Sequence, residues 1–460
     1  MAPTGNGNRD LDKLLTDTTR RALLYTREAT ERRVAPAAEA VARLELLAEP
    51  LPERPCDAGS VLALLDEVGS PATVASTGSR YFGFVTGGVL PAALAANWLT
   101  GAWDQNAGLS LASPVAARLE TIALEWLRDL LDLPVTSAGG FVTGATMANF
   151  TGLAAARHAL LERAGWNVEE DGLFDAPALS VIIGAEAHVS LRKALSLLGM
   201  GRARVSEVPT DEQGRMRGDA LPRLDDRTIL CIQAGNVNTG AFDPAVEICR
   251  QAREAAAWVH VDGAFGLWAA AAPARKHLLR GFADADSWAT DCHKWLNVPY
   301  DSGLALVREP RHLFDAMAVN ASYLELGTGR EPSHYTPELS RRARGIEVWA
   351  ALKSLGRSGV AEIVEGNCRQ ASWMAERLKR EGYAVLNDVV LNQLLVSFGN
   401  ADSTRKVIAA IQADGTCWCG GTQWHGQTAM RISFSSWATT QSDIEKSAET
   451  ILRMAKTRRA

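Results

Sequence analysis

No apolar run in this 460-residue sequence approaches the roughly 18 residues that a membrane-spanning helix requires. The stretch Met1 to Asp10 is rich in Gly and Asn, where a secretory leader would carry a basic region and an apolar core. A net charge of -5 leaves no basic field to hold nucleic acid or an anionic membrane surface, so neither partner is expected. Cysteine is sparse: the seven residues are an odd number at scattered positions and do not make a disulfide framework. Cys417-Trp418-Cys419 is too tight and too isolated to be half of a zinc site, and no metal centre is expected. These absences predict a cytoplasmic protein. No period of about 20 to 50 residues recurs, which excludes a repeat architecture. What is present, 47% apolar and 22% charged residues, is a globular composition, and the length fits two or three domains.

Leu11 to Arg33 carries apolar residues at helical spacing and should stop before Pro36, and Ser60 to Val68 reads as a second helix ended by Gly69-Ser70-Pro71. With little core of their own, residues 1–79 are expected to pack on another subunit or on a larger domain. Arg80 to Pro91 mixes aromatics and glycines, as in a loop that either approaches a ligand closely or serves packing. A helix with Ser113 as cap and Pro114 in its first turn runs to about Leu131. From Gly139 short apolar runs alternate with helical patterns, the texture of an α/β domain with a mostly parallel sheet. Strands are expected near Phe141 to Thr143, Ser180 to Ile183, Arg204 to Val208, Ile229 to Gln233, Val259 to Asp262, Ser287 to Thr290 and Leu304 to Val307. Helices of crossover length are expected at Ala148 to Ala164, Val189 to Leu198, Pro244 to Ala257 and Pro273 to Arg280. Arg308 to Arg344 reads as a connector holding an active-site loop. Helices at Ile346 to Leu355, Val360 to Glu381 and Ser403 to Asp414, with strands at Val390 to Phe398 and Ala429 to Phe434, complete a small α+β domain. The expected division is therefore 1–79, 80–344 and 345–460.

Four features fall at strand ends, where open α/β sheets collect ligands. Lys294 lies in Asp291-Cys292-His293-Lys294-Trp295, in apolar surroundings that make a lysine nucleophilic by lowering its pKa. An exposed salt-bridge lysine is the plain alternative. Asp262 ends the buried run Val259-His260-Val261, where it either faces a protonated ring nitrogen or caps the next helix. His188 follows the strand at Ser180 and either covers a planar cofactor or serves packing. The turn Thr143-Gly144-Ala145-Thr146-Met147-Ala148-Asn149 exposes backbone N–H groups suited to a phosphate, or is an ordinary strand-to-helix turn. It lacks the lysine of nucleotide P-loops and the dinucleotide Gly pattern.

These residues resemble the fold-type I pyridoxal-phosphate enzymes, and among them the group II amino-acid decarboxylases, which include the aromatic-amino-acid and glutamate decarboxylases. The similarity runs from about Tyr81 into the C-terminal domain. It is carried by Ser113-Pro114 with Glu120, the Thr143 to Asn149 turn, Ala187-His188, His260-Val261-Asp262-Gly263-Ala264, Asp291-Cys292-His293-Lys294-Trp295 and Ser340-Arg341-Arg342-Ala343-Arg344. The resemblance implies pyridoxal 5'-phosphate bound through a Schiff base to Lys294, with Asp262 on the pyridinium nitrogen, His188 on one ring face and Ala264 on the other. Thr143, Ala145, Thr146 and Asn149 would form the phosphate turn with His293 close by, and Asn238 and Thr239 would contact the ring. Gly263 stands where the family has Ala, a change expected to be harmless because that side chain points away. The segment Tyr323 to Ser340 is shorter than the family's catalytic loop, and Tyr335 is the nearest counterpart of its proton-donating tyrosine.

The reaction so implied is decarboxylation of an L-amino acid, with aromatics such as Tyr81, Phe82, Phe84 and Trp103 consistent with an aromatic substrate or with packing. Protonation at Cα would fall to Tyr335, His188 or Lys294. Without the loop acid, oxidation to an aldehyde, carbon-carbon lysis or transamination are the alternatives on the same scaffold, and a partner-binding scaffold is a remote one. A homodimer with its site at the interface is implied. Arg431 is suited to a carboxylate, but a strand-edge arginine is more often structural, and it is left out of the expected site.

Overall fold

The structure is a computed structural model that describes residues 7–319 and 329–457. Of the connector expected to carry the active-site loop, residues 320–328 lie outside the described residues. No helix among the described residues is long and apolar enough to cross a membrane.

Helices α1 (Gly7–Glu28), α2 (Ala38–Ala42), α3 (Ala58–Leu64) and α4 (Ser70–Ala72) form the N-terminal segment. They bury little: Leu11, Leu15, Leu24 and Leu51 are all more than half exposed. α5 (Pro91–Trp103), which the sequence reading did not anticipate, and α6 (Pro114–Leu130) follow. α6 forms as its sequence dictates. Ser113 Oγ accepts the Ala116 N–H at 3.4 Å, Pro114 occupies the first turn, and Ala116, Glu120, Ala123, Leu127 and Leu130 bury one face.

The larger sheet contains the seven expected strands: β1 (Ala138–Val142), β2 (Ser180–Gly184), β3 (Ser206–Val208), β4 (Thr228–Gln233), β5 (Trp258–Asp262), β6 (Ser287–Asp291) and β7 (Gly303–Val307). Their order is β1-β7-β6-β5-β4-β2-β3, and only β7 runs against its neighbours. β4, β5 and β6 are buried along their whole length, as parallel strands covered on both faces must be. α7 (Ala145–Arg163), α8 (Val168–Asp171), α9 (Val189–Leu197), α10 (Ala245–Glu254) and α11 (Pro310–Met317) accompany this sheet. α7 lies across β5, β6 and β7. Its approach is close at Gly152, where a Cβ would come within 2.9 Å of the His260 ring.

The smaller antiparallel sheet runs β10 (Gly420–Trp424), β11 (Gln427–Ser433), β9 (Gln393–Ser397), β8 (Ala384–Val385). α12 (Arg344–Arg380), α13 (Ala401–Asp414) and α14 (Gln441–Thr457) cover it around Met374, Leu378, Ile411 and Ile451. The two helices expected over this region meet in α12 at Gly356, whose φ of 60° breaks the helical run. Pro273 to Arg280 is not a helix: only a 3-10 turn at Lys276–Leu279 forms, because most of these side chains are exposed and offer no apolar face to pack. β8 and β10 went unread, one for its two-residue length and the other for its Gly, Thr and Gln content.

One ion cluster ties α6 to β1 and to the connector. Glu120 is 1% exposed and lies 2.8 Å from Arg341 and 3.1 Å from Arg330. Arg341 also donates to the Phe141 carbonyl at 2.6 Å, and Arg330 to that of Gly139 at 2.6 Å. Removing the carboxylate leaves the buried Arg341 without counter-charge. Glu120→Ala is therefore expected to lose about 3–5 kcal/mol of stability in chemical denaturation, and a loss below about 1 kcal/mol would show that the cluster is dispensable.

Candidate active site

Because β1, β2, β4, β5 and β6 are parallel, their carboxyl ends reach the same sheet edge, and the residues that follow them meet there. β5 delivers Asp262, 5% exposed. β6 delivers Asp291, then His293 and Lys294; the turn after β2 delivers His188; the turn after β1 delivers the start of α7.

Asp262 is held by a directed chain of donors. The Trp258 indole N–H donates to Ser287 Oγ at 2.9 Å, and the Ser287 hydroxyl stands 2.8 Å from His260 Nδ1. His260 Nε2 is 2.9 Å from Asn149 Oδ1, and Asn149 Nδ2 donates to Asp262 Oδ2 at 3.2 Å. Asn149 Nδ2 donates to Asp262, so Asn149 Oδ1 faces His260 and can only accept; the neutral ring therefore carries its proton on Nε2, and Nδ1 takes the Ser287 proton. Full burial drives His260 down to about 3, which keeps the ring neutral and the chain's direction fixed. The Ala264 N–H adds a second donor to Asp262, at 3.3 Å.

Lys294 Nζ lies 3.0 Å from Asp291 Oδ2, and that carboxylate is 3% exposed. Its other oxygen accepts the Ala145 N–H at 2.5 Å, so Asp291 joins the lysine to the first turn of α7. His293 Nδ1 accepts the Ser302 N–H at 3.1 Å, which turns Nε2 toward Asp291 at 3.6 Å. The His293 ring sits against Gly144, where a Cβ would come within 3.1 Å of it. α7 has no side-chain cap at Gly144, and Thr143 and Thr146 are half-buried beside it.

His188 caps α9. Its Nδ1 accepts the Ser190 N–H at 3.2 Å, so the neutral ring carries its proton on Nε2. Burial lowers its pKa; Asp262 opposes the shift, and Lys294 and Arg431 reinforce it. The same neighbours place His188 within electrostatic reach of the cluster.

Other expected residues stand apart. Asn238 and Thr239, on the loop after β4, bond other parts of the fold: Asn238 Oδ1 accepts from Thr422 of β10 at 2.9 Å, and the Thr239 hydroxyl donates to the Gln213 carbonyl at 2.7 Å. Tyr335 packs by α11, its ring 6.3 Å from Phe314 and beneath the Arg330 guanidinium at 4.6 Å, and the structure does not bring it into the Lys294 cluster. The glycine at 263 is not a neutral exchange for Ala, since a Cβ there would lie 2.3 Å from Leu267 Cγ. Asn149, expected at the phosphate, bonds Asp262 and His260 instead. His260, Ser287 and Asp291 were missed as functional because each looks like ordinary strand filling. Only the cost of burying such polar groups unpaired could have flagged them.

Residues 49–398 match the family described as the pyridoxal-dependent decarboxylase conserved domain, about three quarters of the chain. The chain belongs to the pyridoxal-dependent decarboxylase family. Its cofactor is pyridoxal 5'-phosphate, and its reaction is the decarboxylation of an amino acid. The aromatic-L-amino-acid decarboxylase of Bacillus atrophaeus is 27% identical over 332 residues, covering 69% of this chain and 67% of that protein. The phenylacetaldehyde synthase of Petunia hybrida is 29% identical over 288 residues, 58% of this chain and 55% of that protein. The fold matches the crystal structure of Oryza sativa TDC with PLP and tryptamine at a TM-score of 0.89, with 21% identity and 99% of each chain covered. The donor set of this decarboxylase suits its cofactor: an uncapped helix start beside Gly144 for the phosphate, and a buried, hydrogen-bonded carboxylate at Asp262 for the ring nitrogen.

The His260 chain predicts a pH response. The folded pKa is about 3 against about 6.5 when unfolded, so the unfolded chain takes up the proton first. The stability this group contributes is whole above pH 6.5 and declines as pH falls toward 3, by at most about 1.4 kcal/mol per pH unit. His260→Asn should flatten the fall in stability measured by denaturation between about pH 6.5 and pH 5. An unchanged slope would mean that His260 is not held neutral.

Proposed function

We propose that this decarboxylase converts an aromatic L-amino acid to its amine and carbon dioxide, with Lys294 as the residue that binds the cofactor's aldehyde. The observation that carries the reading is the convergence of Lys294, Asp262, His188 and the α7 start at one sheet edge. Pyridoxal 5'-phosphate, when bound, supplies an electron-accepting ring for the electrons of the bond between Cα and the carboxylate. Asp262 would hold the ring nitrogen, with its charge kept in place by the chain from Trp258. The α7 amides, with Thr143, Ala145 and Thr146, would hold the phosphate, and His293 would flank it. His188 would cover one ring face and Ala264 the other. Asn149 would position Asp262, and Asn238 and Thr239 would fix the loop after β4.

Beside these residues stands an aromatic wall. Tyr81 stacks on Trp418 at 5.1 Å, Phe84 lies 5.4 Å from Trp418, and Tyr300 lies 4.2 Å from His293. Tyr81 is pushed up to about 12, by burial first and then by Tyr300, so its phenol stays protonated. Arg431 spends one donor on the Val237 carbonyl at 3.2 Å and, among the described residues, has no carboxylate partner. Its charge would draw in the substrate carboxylate, and the aromatic wall would receive the side chain. The names of the Bacillus atrophaeus relative and of the Oryza sativa complex with tryptamine support an aromatic substrate. With Tyr335 held beside α11, the proton for Cα would come from Lys294 Nζ or His188 Nε2. That placement and the Petunia hybrida relative favour one second reading, oxidative conversion to an aldehyde.

We also propose a homodimer with the organisation 1–79, 80–344 and 345–460, in which the exposed leucines of residues 1–79 lie against the partner. Six of the seven free cysteines are buried thiols, in keeping with a cytoplasmic setting.

The reaction is tested by stoichiometry on aromatic L-amino acids. Amine and carbon dioxide are expected in equal amounts without ammonia or peroxide, and Lys294→Ala should lower turnover by at least about a thousandfold. Stoichiometric ammonia and peroxide would move the assignment to the aldehyde reading. Sedimentation at micromolar concentration should show a dimer that Leu15→Glu with Leu24→Glu dissociates, and a wild-type monomer would overturn the assembly.

A further inference from the structure

His158 and Glu162 stand one turn apart near the end of α7, and His312 and Asp315 stand one turn apart on α11, which packs beside it. At about 1.5 Å per residue this places them roughly 20 Å along α7 from Ala145, away from the active site. Ligand atoms of His158, Glu162 and His312 all lie within 4.8 Å of one another, and Asp315 reaches His158 from one side. His158 Nε2 lies 3.9 Å from Glu162 Oε2 and 3.8 Å from Asp315 Oδ2, and His312 Nδ1 lies 4.0 Å from Glu162 Oε2.

His158 is 8% exposed, and its Nδ1 is 2.7 Å from Glu169 Oε2. That carboxylate can only accept, so Nδ1 carries a proton, and in the neutral ring Nε2 presents a lone pair. His158 Nε2 and His312 Nδ1 are both buried, and among the described residues neither has a hydrogen-bond partner. Two orphaned imidazole nitrogens beside two carboxylates are costly unless a cation stands between them. A carboxylate holding the far nitrogen of a histidine is also the arrangement that orients metal-bound imidazoles.

We propose that His158, Glu162 and His312, with Asp315 turning in as the fourth ligand, form a site for a divalent transition metal, zinc foremost, that clips α7 to α11. Two imidazoles and two carboxylates suit a borderline-soft ion with tetrahedral preference. Metal–ligand bonds of about 2.0–2.1 Å in that geometry put ligand atoms roughly 3.3 Å apart, so the separations of 3.8–4.0 Å need close by roughly 0.5–0.7 Å, and the Asp315 side chain must turn further in. The competitor is Arg311, whose guanidinium pairs with Glu162 and lies 3.6 Å from Asp315 Oδ2. It is 64% exposed and can turn into solvent when the ion binds. Glu162 and Asp315, 41% and 33% exposed, open the site to the solution.

The test is made on holoenzyme stripped of adventitious metal with a chelator. Zinc chloride is titrated by calorimetry, and cobalt(II) chloride by the visible bands of a tetrahedral complex. One equivalent per chain is expected, together with a rise in thermal midpoint. His312→Gln and Glu162→Gln, on less buried side chains than His158→Gln, should each weaken binding by about tenfold or more. Arg311→Gln should tighten it by several-fold, an effect that a purely packing role for the histidines would not produce. No saturable binding, binding unchanged in both the His312 and Glu162 variants, or weaker binding in the Arg311 variant would each overturn the proposal.

Discussion

A carboxylate at the end of a strand that is buried along its whole length survives only if its charge is answered, and Asp262 is that carboxylate. The answer arrives from inside the fold. Trp258, Ser287, His260 and Asn149 pass hydrogen bonds toward Asp262 in one direction, from β5 to β6, back to β5 at His260, on to α7 and back to the end of β5. Each link is buried, so no water competes for it, and a single reversed donor would orphan a group at a cost of about 1–3 kcal/mol. The neutral state of His260 follows from the same burial. The site's electrostatics are therefore set by the core and not by the surface around the cleft.

Asp291 works differently, because it holds movable groups. One oxygen takes the Ala145 N–H and the other faces Lys294 Nζ, so the first turn of α7 and the lysine share one anion. Asp291 already places a negative charge at the uncapped α7 start, which would then also hold the cofactor's phosphate. The lysine is then the group free to change partners, with 19% of its side chain exposed against 3% for Asp291. Asp262, held by fixed donors, would keep an electrostatic environment, and Lys294, the more exposed member of its pair, would make and break contacts.

Much of this was legible in the sequence, for physical reasons. Seven apolar runs became seven strands because parallel central strands must be apolar on both faces, and the polar interruptions Asp262 and Lys294 marked their ends. Asn149 was read at the right turn with the wrong partner, since spacing places a residue on a helix but not the face it presents. Tyr335 illustrates the same limit: its distance along the chain suggested the catalytic loop, whereas the packing of Arg330 and Phe314 fixes its ring beside α11. The Gly263 exchange was misjudged because the conflict lies with Leu267, one turn on, and is invisible in a pairwise reading. His158 and His312, distant in sequence and without a motif, could not have been paired at all.

The helix α7 joins these observations into one mechanical element. Its first turn meets Asp291 and offers the uncapped amides, Asn149 completes the chain to Asp262, Gly152 lets it lie against the His260 ring, and His158 and Glu162 end it beside α11. A nineteen-residue helix fixed in its middle by a close contact cannot slide at one end without straining the other. Gly152 is the fulcrum: any larger residue there would lift the helix from β5, lengthen the Asn149 bonds and loosen the charge that Asp262 must carry. The buried length of α7, more than any single residue at the cleft, is what keeps the α7 start and Asp262 in register.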